Sequence, residues 1–202
     1  MSAATQDSMA APEDLLRDDR DAAITALLPC IATLGWTRAT LAHAAEDALG
    51  DAAAAEALFP RGIVSAIACW ADLADRRMAD QAAREEFGAL RTGQKIRRLI
   101  EIRLEQASPH REALRRALGI LALPWNAPAA ARMMAGSASA IWYAAGDHSA
   151  DFSWYTRRAS LAVILGATLA YWLREPADSD ATLEFLDRRL AGLARLQRPR
   201  TS

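Results

Sequence analysis

Apolar side chains recur three and four residues apart along almost the whole chain, the spacing of one helix face after another. Ile24, Leu27, Leu28, Ile31 and Leu34 predict a first helix from about Pro12 to Leu34, with Pro12 in the first turn and Gly35 as the stop. Thr37 offers an N-cap to a short second helix carrying Leu41, Ala44, Ala45 and Ala48, closed by Gly50. Asp51 can cap a third, ending near Leu58 before the turn Phe59-Pro60-Arg61-Gly62. A long amphipathic helix is expected from about Ile63 to Arg84, with Ile63, Ile67, Trp70, Leu73 and Ala74 inward. Thr92 starts the next, carrying Ile96, Leu99, Ile100 and Leu104, and Ser108-Pro109 restarts the chain for a helix to about Leu123. Small residues fill 129 to 145, Gly146-Asp147-His148 breaks that helix, and two more follow at about 152–173 and 181–197. The pattern predicts an all-α bundle of about nine helices: a flexible tail (1–11), a helix-turn-helix-like subdomain (12–62), a helical body (63–197) and a short flexible tail (198–202).

Two short helices after a longer one, followed by a helical body, are the arrangement of tetracycline-repressor-type regulators. Leu58-Phe59-Pro60 resembles the turn that closes their recognition helix. A ligand-responsive DNA-binding regulator is therefore the alternative to be tested. Its chemistry is missing from the segment that would perform it. Asp51 to Leu58 presents four alanines, Glu56, Ala57 and no group that reaches base edges or phosphates. Residues 1–58 hold ten acids against three bases, a net −7, which leaves the rest of the chain at about +6 of the overall −1. Such a segment repels a polyanion, and no nucleic-acid partner is expected.

Composition changes the picture in smaller ways. The first eleven residues lack both the basic start and apolar core of a signal peptide and the arginines of a transit peptide. The expectation is a bacterial-type cytosol, with at most peripheral contact at the inner face of the membrane. The longest apolar stretch, Ala159 to Leu173, is shorter than a membrane span and reads as a buried helix. Cys30 and Cys69 sit singly, without the spacing of a zinc or redox site.

Catalytic constellations do not emerge. His43, His110 and His148 are isolated. The carboxylate pairs Glu85-Glu86 and Asp18-Asp19 diverge around a helix, and no phosphate loop, dinucleotide fingerprint or metalloprotease motif occurs. No enzyme activity, metal or cofactor is expected.

What remains is a pocket and a surface. Six Trp beside four Phe and three Tyr, in an Ala-rich body, suggest an apolar cavity between helices. Trp70, Met133, Met134 and Trp142 are candidate walls for an isoprenoid or acyl chain, and core packing is the competing reading of each. Trp154, Tyr155 and Arg158 fall within an arc of about 100° on a helix. They combine the three residue types most enriched at binding hot spots, although a Trp at a helix start is equally an anchor to the core.

The run Gly146 to Ala159, then Thr168 to Leu173 and Thr182 to Arg189, resembles the ubiquinone-biosynthesis accessory family called Coq nine. Gly35-Trp36, Leu58 to Gly62, Pro109 to Glu112 and Ala122 to Pro124 fit the same pattern, so the resemblance extends from about Asp21 to Leu190. It implies a tetracycline-repressor-like fold, often a homodimer, that binds isoprenoid lipids. Such a protein presents ubiquinone intermediates to a Coq seven type di-iron demethoxyubiquinone hydroxylase, and the partner does the chemistry. It also implies that Trp154, Tyr155 and Arg158 belong to the surface that meets the hydroxylase. Ser153 stands where the family often has Asn. Mitochondrial members continue into an amphipathic helix used for membrane docking, whereas this sequence ends at Ser202.

Overall fold

The computed structural model describes residues 12–85, 87, 89–147, 152–174 and 179–196; for residues 12, 152–154 and 193–196 it describes the backbone only. The two expected tails, His148 and the Trp154 side chain lie outside the described residues. Among those described there is no strand. The described residues form nine α-helices: α1 (Pro12–Leu34), α2 (Arg38–Leu49), α3 (Ala54–Leu58), α4 (Ile63–Arg84), α5 (Thr92–Ala107), α6 (Arg111–Leu121), α7 (Ala127–Ala144), α8 (Phe152–Trp172) and α9 (Ser179–Leu196). Contacts divide the chain within α4, between Cys69 and Trp70.

In the first unit the ends of α1 and α2 are where the sequence put them. Gly35 and Gly50 take left-handed φ values of 73° and 71°, where a β-carbon would be strained. Their N–H groups donate to Ile31 O and Glu46 O, closing α1 and α2. Thr37 caps α2, its Oγ1 accepting from Thr40 N at 3.0 Å. α1 packs on α2 and α3 through Ile24, Leu27, Leu28 and Ile31, which are buried, whereas Leu34, expected inward, is exposed in the last turn. Asp51, expected to cap the third helix, does not: its Oδ1 accepts from Ala53 N in the preceding turn, Glu46 takes the Ala52 N–H, and the N-cap position falls on Ala53 without a side-chain bond. The third helix is thereby shortened to Ala54–Leu58.

In the second unit α7 packs on α8, α8 on α9, and α5 against α7 and α9. Ile96, Leu99, Ile100, Ile102, Ile141, Leu161, Leu165 and Leu186 form its fully enclosed centre. Prolines set the boundaries that periodicity misplaced. Pro124 forces Leu123 into extended backbone (ψ 135°), so α6 stops at Leu121 rather than Leu123. α7 begins at Ala127 because Pro128 is compatible with a first turn.

Three arginines fix the two ends of α8. Arg111 and Arg115 of α6 donate to the last carbonyls: Arg111 to Trp172 O and Arg174 O, Arg115 to Leu173 O at 2.9 Å. The Arg111 guanidinium also lies 5.0 Å from the Trp172 ring centre. These cations sit where a helix exposes unpaired carbonyls and a partial negative charge. At the other end Arg157 pairs with Asp147 (3.5 Å) and lies 5.8 Å from the Trp142 ring centre. Asp147 is held in place by donating its N–H to Trp142 O across the left-handed Gly146.

Candidate functional site

The second unit holds a polar seam that sequence reading missed. Asp75 on α4, Arg103 on α5 and Ser137 on α7 converge in its interior. Ser137 Oγ donates to Asp75 Oδ2 at 2.7 Å, Arg103 Nε lies 3.5 Å from Asp75 Oδ1, and Arg103 also reaches Ala71 O. Burial pushes the Asp75 carboxyl above its ordinary value, and Arg103 and Ser137 pull it back only in part. The same burial holds Arg103 below the usual guanidinium range, with Asp75 opposing. One turn along, Gln106 donates to Gln81 Oε1 at 3.3 Å. Gln106 Oε1 is a buried acceptor without a hydrogen bond in the structure, carrying a desolvation cost of about 1–3 kcal/mol, and Asp75 Oδ1 is met only by the 3.5 Å ion pair with Arg103. Buried acceptors left open mark a place where a donor fits.

The expected lipid-facing residues are distributed around the second unit. Trp70 and Trp142 are buried, and Met133 and Met134 half-buried. Trp142 is part of the packed core. Met134 packs against that core, its Sδ 3.7 Å from where a β-carbon on Gly166 of α8 would stand. Among the described residues two clefts open elsewhere, and neither is lined by these four residues. One, about 760 Å³, lies in the first unit between α2 and the α3–α4 turn, bounded by Arg38, Ala42, Glu56 and Phe59. The other, about 430 Å³, is walled by Phe87 and Leu90 and by the ion pairs of Glu85 and Glu101 with Arg98.

The expected surface cluster divides. Tyr155 is 71% exposed; Arg158 is only 7% exposed, although the two side chains lie three residues apart. Arg158 continues the inward stripe of Leu161, Leu165 and Trp172, whereas Tyr155 heads an outward one through Ala159 and Val163, itself 73% exposed. A shared arc of the helix placed these residues as neighbours without saying which edge faces the core. The expectation that Arg158 belongs to the exposed surface is corrected accordingly. His110, beside Arg111, is half-buried, and desolvation with help from nearby Arg77 holds its pKa below the ordinary histidine value. Among the described residues no group of three His, Cys, Asp or Glu is placed to hold a metal. No described helix is long and apolar enough to cross a membrane.

In the first unit the segment expected to carry DNA recognition contributes a five-residue helix, whose only charged side chain is Glu56.

This is the helical architecture of the tetracycline-repressor class. A TetR transcriptional regulator from Nitrosomonas europaea superposes with a TM-score of 0.68 over 87% of this chain and 98% of its own, at 23% identity, a likeness of fold. Residues 127–197, comprising α7 to α9, match the COQ9 family model. Ubiquinone biosynthesis protein COQ9, mitochondrial, of Homo sapiens is 32% identical over 176 residues, 83% of this chain and 55% of the human one. The Drosophila melanogaster protein of the same name is 28% identical over 86% of this chain, and that of Schizosaccharomyces pombe 28% over 78%. Residues 127–197 thus carry the match to the COQ9 family model, the chain is similar to COQ9 proteins over most of its length, and it spans about half the length of the first of these relatives. Their names overturn the expectation of a bacterial-type cytosol with contact at a bacterial inner face, because the relatives are mitochondrial proteins. That expectation rested on the composition of eleven terminal residues, which is a poor report of compartment in a chain covering part of its relatives.

Proposed function

We propose that this chain is a non-catalytic accessory protein of ubiquinone biosynthesis. Its second unit binds an isoprenoid quinone intermediate and offers it, as a homodimer, to a di-iron demethoxyubiquinone hydroxylase of the Coq seven type. The observation that carries the reading is the kinship with COQ9 proteins, together with a large exposed aromatic, Tyr155, inside the segment that the family model matches. In this reading the exposed Tyr155 meets the hydroxylase, and Trp154 and Arg158 belong to the same segment of contact. Met133 and Met134, polarisable and half-buried on α7, border the isoprenoid chain, with Trp70 and Trp142 behind them. The open acceptors of the Asp75 seam suit a hydroxyl on a quinol-type head group.

Organic extraction of the purified chain followed by mass spectrometry tests this directly. A polyprenyl quinone or its precursor above the level of a control protein supports it; an extract without lipid counts against the cavity. The regulator reading draws no support from α3, which offers methyl groups and Glu56 where phosphates and base edges require donors.

A further inference from the structure

The turn between α6 and α7 is the most exposed apolar feature of the second unit. Trp125 is 74% exposed and Leu123 38%, and Ala122, Pro124, Ala127 and Pro128 beside them are exposed as well. A soluble turn ordinarily carries Gly, Asn, Asp or Ser; residues 122–128 contain no charge and a single amide, Asn126. That amide faces inward, donating to Ile120 O at 2.9 Å, so the apolar side chains are left outermost.

The backbone of this tip is prepared for leaving water. The N–H groups of Ala122, Leu123, Asn126 and Ala127 donate to Leu118 O, Ile120 O, Leu123 O and Pro124 O, and Pro124 and Pro128 have none to satisfy. Dehydrating the turn therefore strands few donors, which is the main cost that keeps irregular backbone out of apolar media. Charge points the same way. Between Glu112 and Asp147 the sequence contains no carboxylate and three arginines, Arg115, Arg116 and Arg132. Arg115 and Arg116 share the Glu112 carboxylate, at 3.8 and 2.7 Å, which leaves a net positive charge there, and Arg132 is exposed within two turns of the tip.

From these observations we infer that the Leu123-Pro124-Trp125 tip docks the protein on an anionic lipid surface. The Trp125 ring enters the interfacial layer, and the flanking arginines meet lipid phosphates. An indole is suited to that layer, with an apolar body and one N–H for the headgroups. A protein partner fits less well, since a stable interface buries about 800 Å² on each side and a seven-residue turn supplies little of that. The inference stands apart from the quinone reading: extraction can return no lipid while the tip still binds vesicles, and the reverse.

The test is co-sedimentation of the 202-residue chain with vesicles of phosphatidylcholine alone and of phosphatidylcholine mixed with an anionic phospholipid. The wild type is expected on the anionic vesicles, with attachment that weakens as salt is raised. Leu123→Ser/Trp125→Ser should lower partitioning about tenfold or more, with unchanged helical circular dichroism and melting temperature. Arg132→Gln should give a smaller loss, confined to anionic vesicles at low salt. A double variant that sediments like the wild type, or a wild type that ignores anionic vesicles, overturns the inference. So does a loss confined to hydroxylase binding with vesicle binding intact.

Discussion

The two units treat polar groups in opposite ways. In residues 12–69 the buried polar side chains among those described are Thr40 and Ser65, both hydrogen-bonded within one turn of their own chain, and the acids lie outside. From Trp70 onward the interior takes in Arg158, Ser137, Thr168 and Thr182, together with most of the Asp75–Arg103 pair. The first unit is thus a conventional apolar core under an acidic surface. The second accepts the cost of burying charge.

The sharpest way to break this contrast is to remove half of the buried pair. Arg103→Ala should destabilise the second unit by about 3–5 kcal/mol, because Asp75 would be left buried and uncompensated. Urea unfolding reads the loss, and a midpoint unchanged from wild type would mean that the seam is hydrated and functionally idle. Next in size, Tyr155→Ala should weaken hydroxylase capture by about 1–3 kcal/mol while leaving thermal stability alone. Arg158→Ala should do the reverse, lowering stability first because its side chain is buried. A matching result for both would restore a single exposed cluster. Thr37→Ala should cost about 1 kcal/mol, and proteolysis should register it within the first unit, since it removes the one side-chain cap of α2.

The smallest effect is a matter of pH. His110 has a lowered folded-state pKa, so as pH falls through and below the ordinary histidine range the unfolded chain takes up its proton before the folded one. Its contribution is complete above that range and is lost on acidification. His110→Gln should flatten that part of the melting-temperature profile, and an unaltered profile would exclude the site as its source.

Most of the fold was legible because its punctuation is local. Gly35, Thr37 and Gly50 act through hydrogen bonds to residues three or four positions away, and a sequence displays such relations directly. The proline-set boundaries of α6 and α7 were displaced by two residues, since periodicity marks faces and not ends. The site was legible only in part. Asp75, Arg103 and Ser137 come from three helices, and each alone reads as an ordinary surface residue. Arg158 did leave a trace, since it falls in step with Leu161, Leu165 and Trp172; weighing that step above its charge would have placed it inside.

The arginines that grip α8 at both ends bear on how the molecule opens over time. In α8 the last carbonyls are taken by Arg111 and Arg115, and the second turn is tied through Arg157 to Asp147, so fraying between these points is opposed at both ends. Its amides should exchange with deuterium as one cooperative block, at a rate set by release of α6 or of the Gly146 turn. Any change that loosens Arg111 would then be felt some twenty residues away, in how steadily Tyr155 is held toward whatever it meets.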